Sequence, residues 1–316
     1  MAAELVISTQ GLTKQYDRHI AVNDVDIHIE AASVYGLMGP NGAGKTTLIR
    51  MLAMAEEPSK GEIRINGELS RHDRHHPSLK RCIGYLPDDF PLYDDLKVWD
   101  YLDYFARLYK LREPRRTQRI KEVLELVQLT HKRHSLIATL SRGMKQRLSL
   151  ARTIVHEPLV LLLDEPVSGL DPIARMQFRD IIRALQEAGM SILISSHVLS
   201  DLAELCTCIG IMELGFLVES APLQDLYSRL SRQQIVLSTL GDLQTLRSEL
   251  RHWSQVEEIE ILPDQASLKV NFSGNREDAA ALLAALIQAG VPLTEFHSTQ
   301  EDLESIFMKL EHQQSS

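Results

Sequence analysis

The sequence predicts an α/β fold with a mostly parallel sheet, followed by a smaller C-terminal α+β domain. Between residues 1 and 222, apolar segments of strand length alternate with segments of helical period, which indicates a sheet with helices on both faces. Residues 159–163 are continuously apolar, as expected of a central parallel strand. Near Pro222 the character changes, and a second set of strands and helices with its own hydrophobic pattern begins. We therefore predict two domains, residues 1–222 and 223–316.

The hydrophobic period predicts the elements of the first domain in order. A half-buried strand is predicted where Val25, Ile27 and Ile29 alternate with polar residues. Further strands are predicted at residues 5–7, 34–38, 61–67, 83–87, 191–195 and 209–218, the last as a hairpin. One face of a helix is predicted from apolar residues at intervals of three and four, namely Val98, Tyr101, Leu102, Phe105, Leu108 and Tyr109. A second such stripe begins at Ile120, so a helical subdomain is predicted from about residue 90 to about residue 150.

The second domain is predicted to alternate strands and helices of ordinary length. Strands are predicted at residues 234–237, 256–262, 267–272 and 292–296, and helices at residues 243–253, 278–288 and 303–310.

In the first domain, Asp171 and Pro172 predict the start of a helix, because aspartate is a good N-cap and proline suits the first helical position. Gly189 is predicted to end that helix.

A glycine-rich loop lies between the strand predicted at residues 34–38 and a helix predicted at residues 48–52. It matches the pattern G-x-x-x-x-G-K-T in full and consists of Gly39, Pro40, Asn41, Gly42, Ala43, Gly44, Lys45, Thr46 and Thr47. The glycines let successive backbone N–H groups point at phosphate oxygens, and the helix adds the positive end of its dipole. Lys45 can reach the β- and γ-phosphates, and the Thr46 hydroxyl can bind Mg²⁺. The context predicts a nucleoside triphosphate site.

Two adjacent carboxylates, Asp164 and Glu165, end the apolar run at residues 159–163. Ligands bind at the carboxyl ends of the strands in open α/β sheets. We therefore expect Asp164 to hold Mg²⁺ through water and Glu165 to polarise the attacking water. The alternative is a pair of acids that cap a turn before Pro166.

The segment at residues 140–147 separates this chain from other phosphate-loop enzymes. By itself it predicts a helix start with Ser141 as the N-cap. Together with the phosphate loop it resembles the ATP-binding cassette (ABC) family. The hallmark Leu-Ser-Gly-Gly-Gln of that family is matched at Leu140, Ser141 and Gly143 and differs at Arg142 and Met144. The remaining motifs follow in the family's order and spacing, at Tyr16, Asp164, Glu165, residues 168–171 and His197.

The resemblance implies an ATPase that works as a head-to-tail dimer with ATP and Mg²⁺. Each ATP would lie between the phosphate loop of one subunit and Ser141 and Gly143 of the other. It also implies that Tyr16 stacks on the adenine. His197 would contact the γ-phosphate and help to position water beside Glu165, and Asp171 would reach across the dimer.

One position differs from the family's usual pattern. Asp88 stands where relatives carry a glutamine that contacts Mg²⁺ and relays the nucleotide state to the membrane subunit. A carboxylate is a hard oxygen ligand and could still bind Mg²⁺. It also adds negative charge near Asp164 and Glu165. The alternative is that Asp88 caps the turn after Pro87 and faces the permease.

Within the family, the chain looks most like the ATPase subunits of bacterial ABC-2-type or multidrug exporters. The features are the Leu-Ser-Arg-Gly-Met variant, Asp88 and the C-terminal segment at residues 302–307. This resemblance implies an integral-membrane permease as partner and a second ATPase subunit, either identical or a close paralogue. It places the chain at the cytoplasmic face of the cell inner membrane.

Composition restricts the partners further. The formal net charge of −9 argues against nucleic acid, and the three cysteines are too few for a disulfide framework. No segment approaches the length of about 18 apolar residues that spans a bilayer, so a membrane role needs a separate partner. The runner-up function is a soluble mechanical ATPase acting on ribosomes or DNA, although such proteins usually carry two cassettes or long coiled coils. A phosphoryl-transfer enzyme acting on a small molecule would not explain residues 140–147.

Overall fold

The computed structural model describes residues 4–70, 77–89, 92–230, 233–262 and 267–300. The chain divides into two compact units, Met1–Leu223 and Gln224–Ser316. The helix predicted at residues 303–310 lies outside the described residues, as does the segment at residues 302–307. Within the described ranges, no helix is long and apolar enough to cross a lipid bilayer.

Strands and helices alternate along the first unit. Its strands are β1 (Leu5–Tyr16), β2 (His19–Val25), β3 (His28–Glu30), β4 (Val34–Met38), β5 (Lys60–Ile65), β6 (Glu68–Ser70), β7 (Ile83–Leu86), β8 (Val160–Leu163), β9 (Ser191–Ser196), β10 (Cys208–Glu213) and β11 (Phe216–Pro222). Its α-helices are α1 (Lys45–Leu52), α2 (Pro77–Arg81), α3 (Val98–Leu108), α4 (Arg115–Leu126), α5 (Arg142–Ile154), α6 (Pro172–Glu187) and α7 (Leu199–Ala203). Short 3-10 helices occupy Thr130–Lys132 and Ile137–Thr139.

The first unit is organised around a six-stranded sheet with the order β11-β10-β4-β9-β8-β7. The strands from β10 to β7 are parallel, while β11 pairs antiparallel with β10. Strands β4, β8 and β9 are buried along their whole length, as expected when helices cover both faces of a parallel sheet. The predicted α/β fold is confirmed.

The second sheet of this unit is antiparallel and has the order β2-β1-β5-β6, with β3 also paired to β1. Strand β1 is much longer than the strand predicted at residues 5–7, because it changes partner along its length through several register shifts. Gly11, at φ 60°, provides the left-handed backbone that such an irregularity uses. Tyr16 is therefore the last residue of a strand.

The helical part between β7 and β8 contains α3, α4 and α5. Helix α3 buries the predicted apolar positions Val98, Tyr101 and Leu102. Leu108, predicted on the same face, is instead 59% exposed. The helix ends at this residue and the chain turns at Lys110, whose φ is 63°. The neighbouring Tyr109 still packs, because its ring stacks on His156.

The second unit has a four-stranded antiparallel sheet with the order β13-β14-β12-β15. Its elements are α8 (Leu223–Leu230), which begins at the unit boundary, β12 (Gln233–Thr239), α9 (Leu243–Leu250), β13 (Val256–Ile261), β14 (Ser267–Phe272), α10 (Arg276–Gln288) and β15 (Leu293–Gln300). A separate core joins the sheet to α9 and α10 through residues such as Leu237, Leu246 and Leu282. Helix α10 begins two residues before the predicted start, because Asn275 and Asp278 form a reciprocal capping box.

Candidate functional site

The predicted catalytic residues meet at one edge of the central sheet. The phosphate loop follows β4, His197 follows β9, Asp164 follows β8 and Asp88 lies two residues after β7. Because these four strands are parallel neighbours in the order β4-β9-β8-β7, their carboxyl ends lie side by side. Residues that are far apart in the sequence are thereby brought to one edge, where α/β sheets bind ligands.

The phosphate loop has a backbone that only glycine allows at two positions. Gly39 and Gly44 have φ values of 157° and 103°. A Cβ at Gly39 would lie 2.2 Å from the carbonyl oxygen of Met212, and one at Gly44 would lie 2.2 Å from that of Ala21. Any side chain would therefore push the loop away from the neighbouring backbone. The loop leads directly into α1, which begins at Lys45.

The Lys45 side chain lies inside the loop and is 6% exposed. Its Nζ donates hydrogen bonds to the carbonyl oxygens of Gly39 at 2.6 Å and Pro40 at 3.2 Å. The same Nζ lies 3.4 Å from Oε1 of Glu165. A cation is thus held between the phosphate loop and the end of β8.

Asp164 is fully buried behind this cation. Its Oδ1 accepts a hydrogen bond from Oγ of Ser195 at 2.8 Å, whereas its Oδ2 has no hydrogen-bond partner among the described residues. Burial raises the pKa of Asp164, and the nearby hydroxyls of Ser195 and Thr46 act in the opposite direction. An orphaned carboxylate oxygen beside a hydroxyl is a hard oxygen donor set, so Asp164 and Thr46 fit Mg²⁺.

Glu165 lies between two partners. Its Oε1 faces Nζ of Lys45, and its Oε2 lies 2.9 Å from Nδ1 of His197. The backbone of Glu165 is left-handed, with φ 46°, which is uncommon for a residue other than glycine. The side chain of His197 is 43% exposed, whereas that of Glu165 is 14% exposed. The arrangement can hold and activate a water molecule next to a phosphate.

Asp88 lies within the electrostatic field of the same carboxylates. Partial burial raises its pKa, and the negative charges of Asp164, Glu165 and Asp89 raise it further, while Arg142 lowers it. The negative charges of these carboxylates repel one another. This repulsion makes the group a favourable place for a divalent ion.

Ser141, Gly143 and Asp171 form a second group at the starts of two packed helices. The hydroxyl of Ser141 accepts from the backbone N–H of Met144, and the carboxylate of Asp171 accepts from that of Ala174, so both predicted N-caps are confirmed. A Cβ at Gly143 would lie only 2.7 Å from Cβ of Ala174, which shows how closely α5 and α6 approach here. Ser141 and Asp171 are both exposed.

Tyr16 lies at the end of β1 with 41% of its surface exposed. The Nζ of Lys14 lies 4.9 Å from the centre of its ring. The ring is accessible to a flat partner such as a base.

Two further residues were not among the predicted site residues. Arg142, which departs from the family hallmark, donates from Nη2 to the carbonyl oxygen of Ser168 at 3.0 Å, and its guanidinium lies against Gly169. It joins the start of α5 to the segment that connects Glu165 with α6. Ser195 binds Asp164 across adjacent strands. The departure at Arg142 was a signal in the sequence, whereas the contact of Ser195 depends on strand order, which the sequence does not display.

Comparison with known proteins identifies the family. A family model described as ABC transporter matches residues 22–168. The chain is 35% identical over 309 residues to the ABC transporter ATP-binding protein YxlF of Bacillus subtilis, covering 97% of this chain and 100% of that protein. It is 36% identical over 230 residues to the bacitracin transport ATP-binding protein BcrA of Enterococcus faecalis, covering 72% and 73% of the two chains.

A solved structure leads to the same family. The ATP-binding subunit of an ABC transporter superposes with a TM-score of 0.64 at 28% identity, covering 71% of this chain and 92% of the other. Sequence relatives, the fold and the residues at the sheet edge thus agree, and the chain belongs to the ATP-hydrolysing, ATP-binding subunits of ABC transporters.

Proposed function

We propose that this chain is the Mg²⁺-dependent ATPase subunit that powers export through a separate membrane permease. The observation that carries the catalytic part is the position of Glu165, whose two carboxylate oxygens face Lys45 at 3.4 Å and His197 at 2.9 Å. A carboxylate held between a phosphate-binding cation and an imidazole can accept a proton from attacking water. The export direction rests on the resemblance to exporter ATPases.

Each residue at the sheet edge has a defined part in this proposal. The N–H groups of the phosphate loop and Nζ of Lys45 bind the terminal phosphates. Glu165 takes the proton of the water, and His197 holds the carboxylate and contacts the γ-phosphate. Thr46 and Asp164 would hold Mg²⁺, with Asp88 as a further ligand. The ion would neutralise charge on the phosphate oxygens. Tyr16 stacks on the adenine.

The second group of residues suggests how two cassettes associate. Ser141 and Gly143 are at the N-terminus of α5, a helix of 13 residues, and Ser141 is exposed. A helix N-terminus with a serine hydroxyl binds anions, so it can receive the γ-phosphate held by a partner subunit. Asp171 would reach across the same interface. ATP would then join two subunits, and its hydrolysis would release them.

The proposed partners are a second ATPase subunit and an integral-membrane permease, with the chain at the cytoplasmic face of the inner membrane. The named function of BcrA, bacitracin transport, supports a transport role. The competing function is a mechanical ATPase on ribosomes or DNA, which the net charge of −9 disfavours. Affinity purification from native membranes separates the two. Recovery of a hydrophobic permease supports transport, and recovery of ribosomes or DNA instead of a permease supports the alternative.

Two substitutions test the catalytic assignment in the purified complex. Lys45→Ala should lose both nucleotide affinity and hydrolysis. Glu165→Gln should keep ATP binding and lower the rate by a factor on the order of 10²–10⁴, because an amide cannot take the proton. Glu157→Gln is the matched control, since Glu157 makes the same kind of carboxylate contacts with Arg115 on the exposed surface. If Glu165→Gln and Glu157→Gln hydrolyse ATP at the same rate, Glu165 is not the catalytic base.

A further inference from the structure

We propose that Ser195 is a positioning residue of the ATPase site, which fixes the Asp164 carboxylate and the backbone of Glu165 relative to each other. This inference rests on the proposed Mg²⁺-dependent hydrolysis. Ser195 is on β9, while both of its partners follow β8, so the contact joins two neighbouring strands.

The single hydroxyl makes two hydrogen bonds with defined directions. Oγ of Ser195 donates to Oδ1 of Asp164 at 2.8 Å and accepts from the backbone N–H of Glu165 at 2.9 Å. A backbone N–H group can only donate, and an ionised carboxylate can only accept. The hydroxyl of Ser195 therefore donates its proton to Asp164 and accepts the backbone N–H of Glu165 with a lone pair. Ser195 is fully buried, so no solvent competes for either bond.

Strand register places the hydroxyl at this point. Leu163, the last residue of β8, pairs with Ile194, and Ser195 pairs on its other side with Leu37 of β4. Strand β9 is thus held between two parallel neighbours, and Ser195 lies one step beyond the end of β8, beside Asp164. A central strand provides a rigid support for the group that it orients.

The two bonds explain two unusual features of the site. The left-handed backbone of Glu165, with φ 46°, is uncommon for a residue other than glycine, and a hydrogen bond to its N–H holds it in place. With Oδ1 of Asp164 occupied by Ser195, Oδ2 is the oxygen that lacks a hydrogen-bond partner among the described residues. Ser195 thereby selects which carboxylate oxygen is free for a metal ion or its water.

Ser191 provides a matched control on the same strand. It is also buried, and its Oγ accepts from a backbone N–H, that of Ala32, at 2.9 Å. It stands at the opposite end of β9 from the site. Replacing either serine by alanine removes a buried hydroxyl and leaves one backbone donor without its acceptor. Only Ser195→Ala also removes the donor to Asp164, which is the contact under test.

The test compares Ser195→Ala, Ser195→Thr and Ser191→Ala in the full complex. Nucleotide affinity is measured with a fluorescent ATP analogue over a Mg²⁺ titration that starts in EDTA, and hydrolysis is measured over the same titration. In both measurements, we expect Ser195→Ala to raise the Mg²⁺ concentration at the half-maximal signal by about tenfold. The reason is that the variant loses the hydrogen bond to the charged Asp164 carboxylate. Its affinity in EDTA should be unchanged. Ser195→Thr keeps the hydroxyl and should stay within about threefold of wild type.

The outcomes separate this inference from the proposed function. Wild-type complex without Mg²⁺-dependent hydrolysis would overturn the proposed function itself. An active wild type with superimposable Mg²⁺ curves for Ser195→Ala and Ser191→Ala would overturn only the role of Ser195. If Ser195→Ala does not fold, Ser195→Cys takes its place, because a thiol is a weak donor and acceptor. Equal Mg²⁺ midpoints for Ser195→Cys and Ser195→Thr would then overturn the inference.

Discussion

At the scale of single residues, the candidate site brings several charged side chains close together. The ammonium of Lys45 lies 3.4 Å from Glu165 and is also bound to the carbonyl oxygens of Gly39 and Pro40. Asp88 and Asp164 both have a raised pKa, for which burial is the largest cause. In the proposed function, an anionic triphosphate would bring opposite charge to Lys45 and a divalent cation would bring it to the carboxylates.

Asp88 has two alternative roles, as a ligand of Mg²⁺ or as a contact of the permease. If it helps to hold Mg²⁺, Asp88→Ala should raise the Mg²⁺ concentration for half-maximal hydrolysis by several fold. Asp88→Asn keeps an oxygen at the same reach and should raise it less. The measurement is a Mg²⁺ titration of ATPase activity in the complex, with Asp89→Ala as the neighbouring control. Curves for both Asp88 variants that superimpose on wild type would remove Asp88 from the metal site, and reduced transport at normal hydrolysis would then indicate contact with the permease.

At the scale of elements, the N-termini of two helices lie at the candidate nucleotide contacts. Helix α1 presents its N-terminus to the phosphate loop, and α5 presents its own beside the Ser141 cap. The close packing of Gly143 against Ala174 keeps the starts of α5 and α6 together. A nucleotide that contacts Ser141 at the start of α5 would therefore also lie close to Asp171 at the start of α6.

Ser141 can be changed without removing its cap. Ser141→Asp and Ser141→Asn both keep an oxygen that can accept from the N–H of Met144, and they differ chiefly in charge. The aspartate should repel the γ-phosphate of a partner subunit and abolish dimers formed with ATP, while the asparagine should weaken them less. Both should bind ATP as monomers. Size-exclusion chromatography with ATP and Mg²⁺, in the Glu165→Gln background, checks this. Equal dimer yields from the two variants would contradict the head-to-tail arrangement.

A buried histidine connects three elements and should make stability depend on pH. His156 follows α5, its Nε2 lies 3.1 Å from the carbonyl oxygen of Ile83 in β7, and its ring stacks on Tyr109 after α3. Burial lowers the pKa of His156 to about 4. The unfolded chain, with a histidine pKa of about 6.5, takes up a proton at a higher pH than the folded chain does. Stability should therefore fall as the pH drops from about 6.5 to about 4, by on the order of 2–3 kcal/mol at most.

Denaturant unfolding at pH 7 and pH 4.5 tests this contribution. His156→Phe keeps a ring to stack on Tyr109 and cannot take up a proton, so it should lose part of the pH dependence of wild type. His131→Phe, at an exposed position, is the control and should retain the wild-type dependence. An unchanged pH dependence in His156→Phe would show that other groups cause it.

At the scale of the whole molecule, the nucleotide motifs all lie in the unit Met1–Leu223, and the unit Gln224–Ser316 has its own core. We propose that the second unit acts in regulation or assembly. Its sheet order, β13-β14-β12-β15, is complete within itself, because the strands of this sheet all come from this part of the chain. Such a unit can fold independently.

Truncation tests this division. A chain ending at Leu223 should fold and bind ATP with nearly the wild-type affinity, because it keeps the phosphate loop, Asp164 and Tyr16. Circular dichroism and binding of a fluorescent ATP analogue are the measurements. A folded product that cannot bind ATP would show that the second unit contributes to the nucleotide site.

The sequence by itself determined the features that depend on neighbouring residues. The phosphate loop, the Asp164–Glu165 pair and the caps at Ser141 and Asp171 are local patterns, and local hydrogen bonding and backbone preference are enough to predict them. The alternation of strands and helices likewise predicted the α/β fold. The exact extent of elements was less predictable, as the length of β1 and the exposure of Leu108 show, because both depend on which surfaces other segments offer.

Only the tertiary structure decided which distant residues meet. The order β4-β9-β8-β7 places Ser195 beside Asp164, and the packing of α5 against α6 takes Arg142 to Ser168. The proximity of His197 to Glu165 was, by contrast, already implied by the resemblance. Strand order results from non-local pairing, in which a buried apolar strand has no preference of its own for one neighbour over another. The hydrogen-bond partner of a serine in such a strand can therefore be identified only when the neighbouring strand and the register are known.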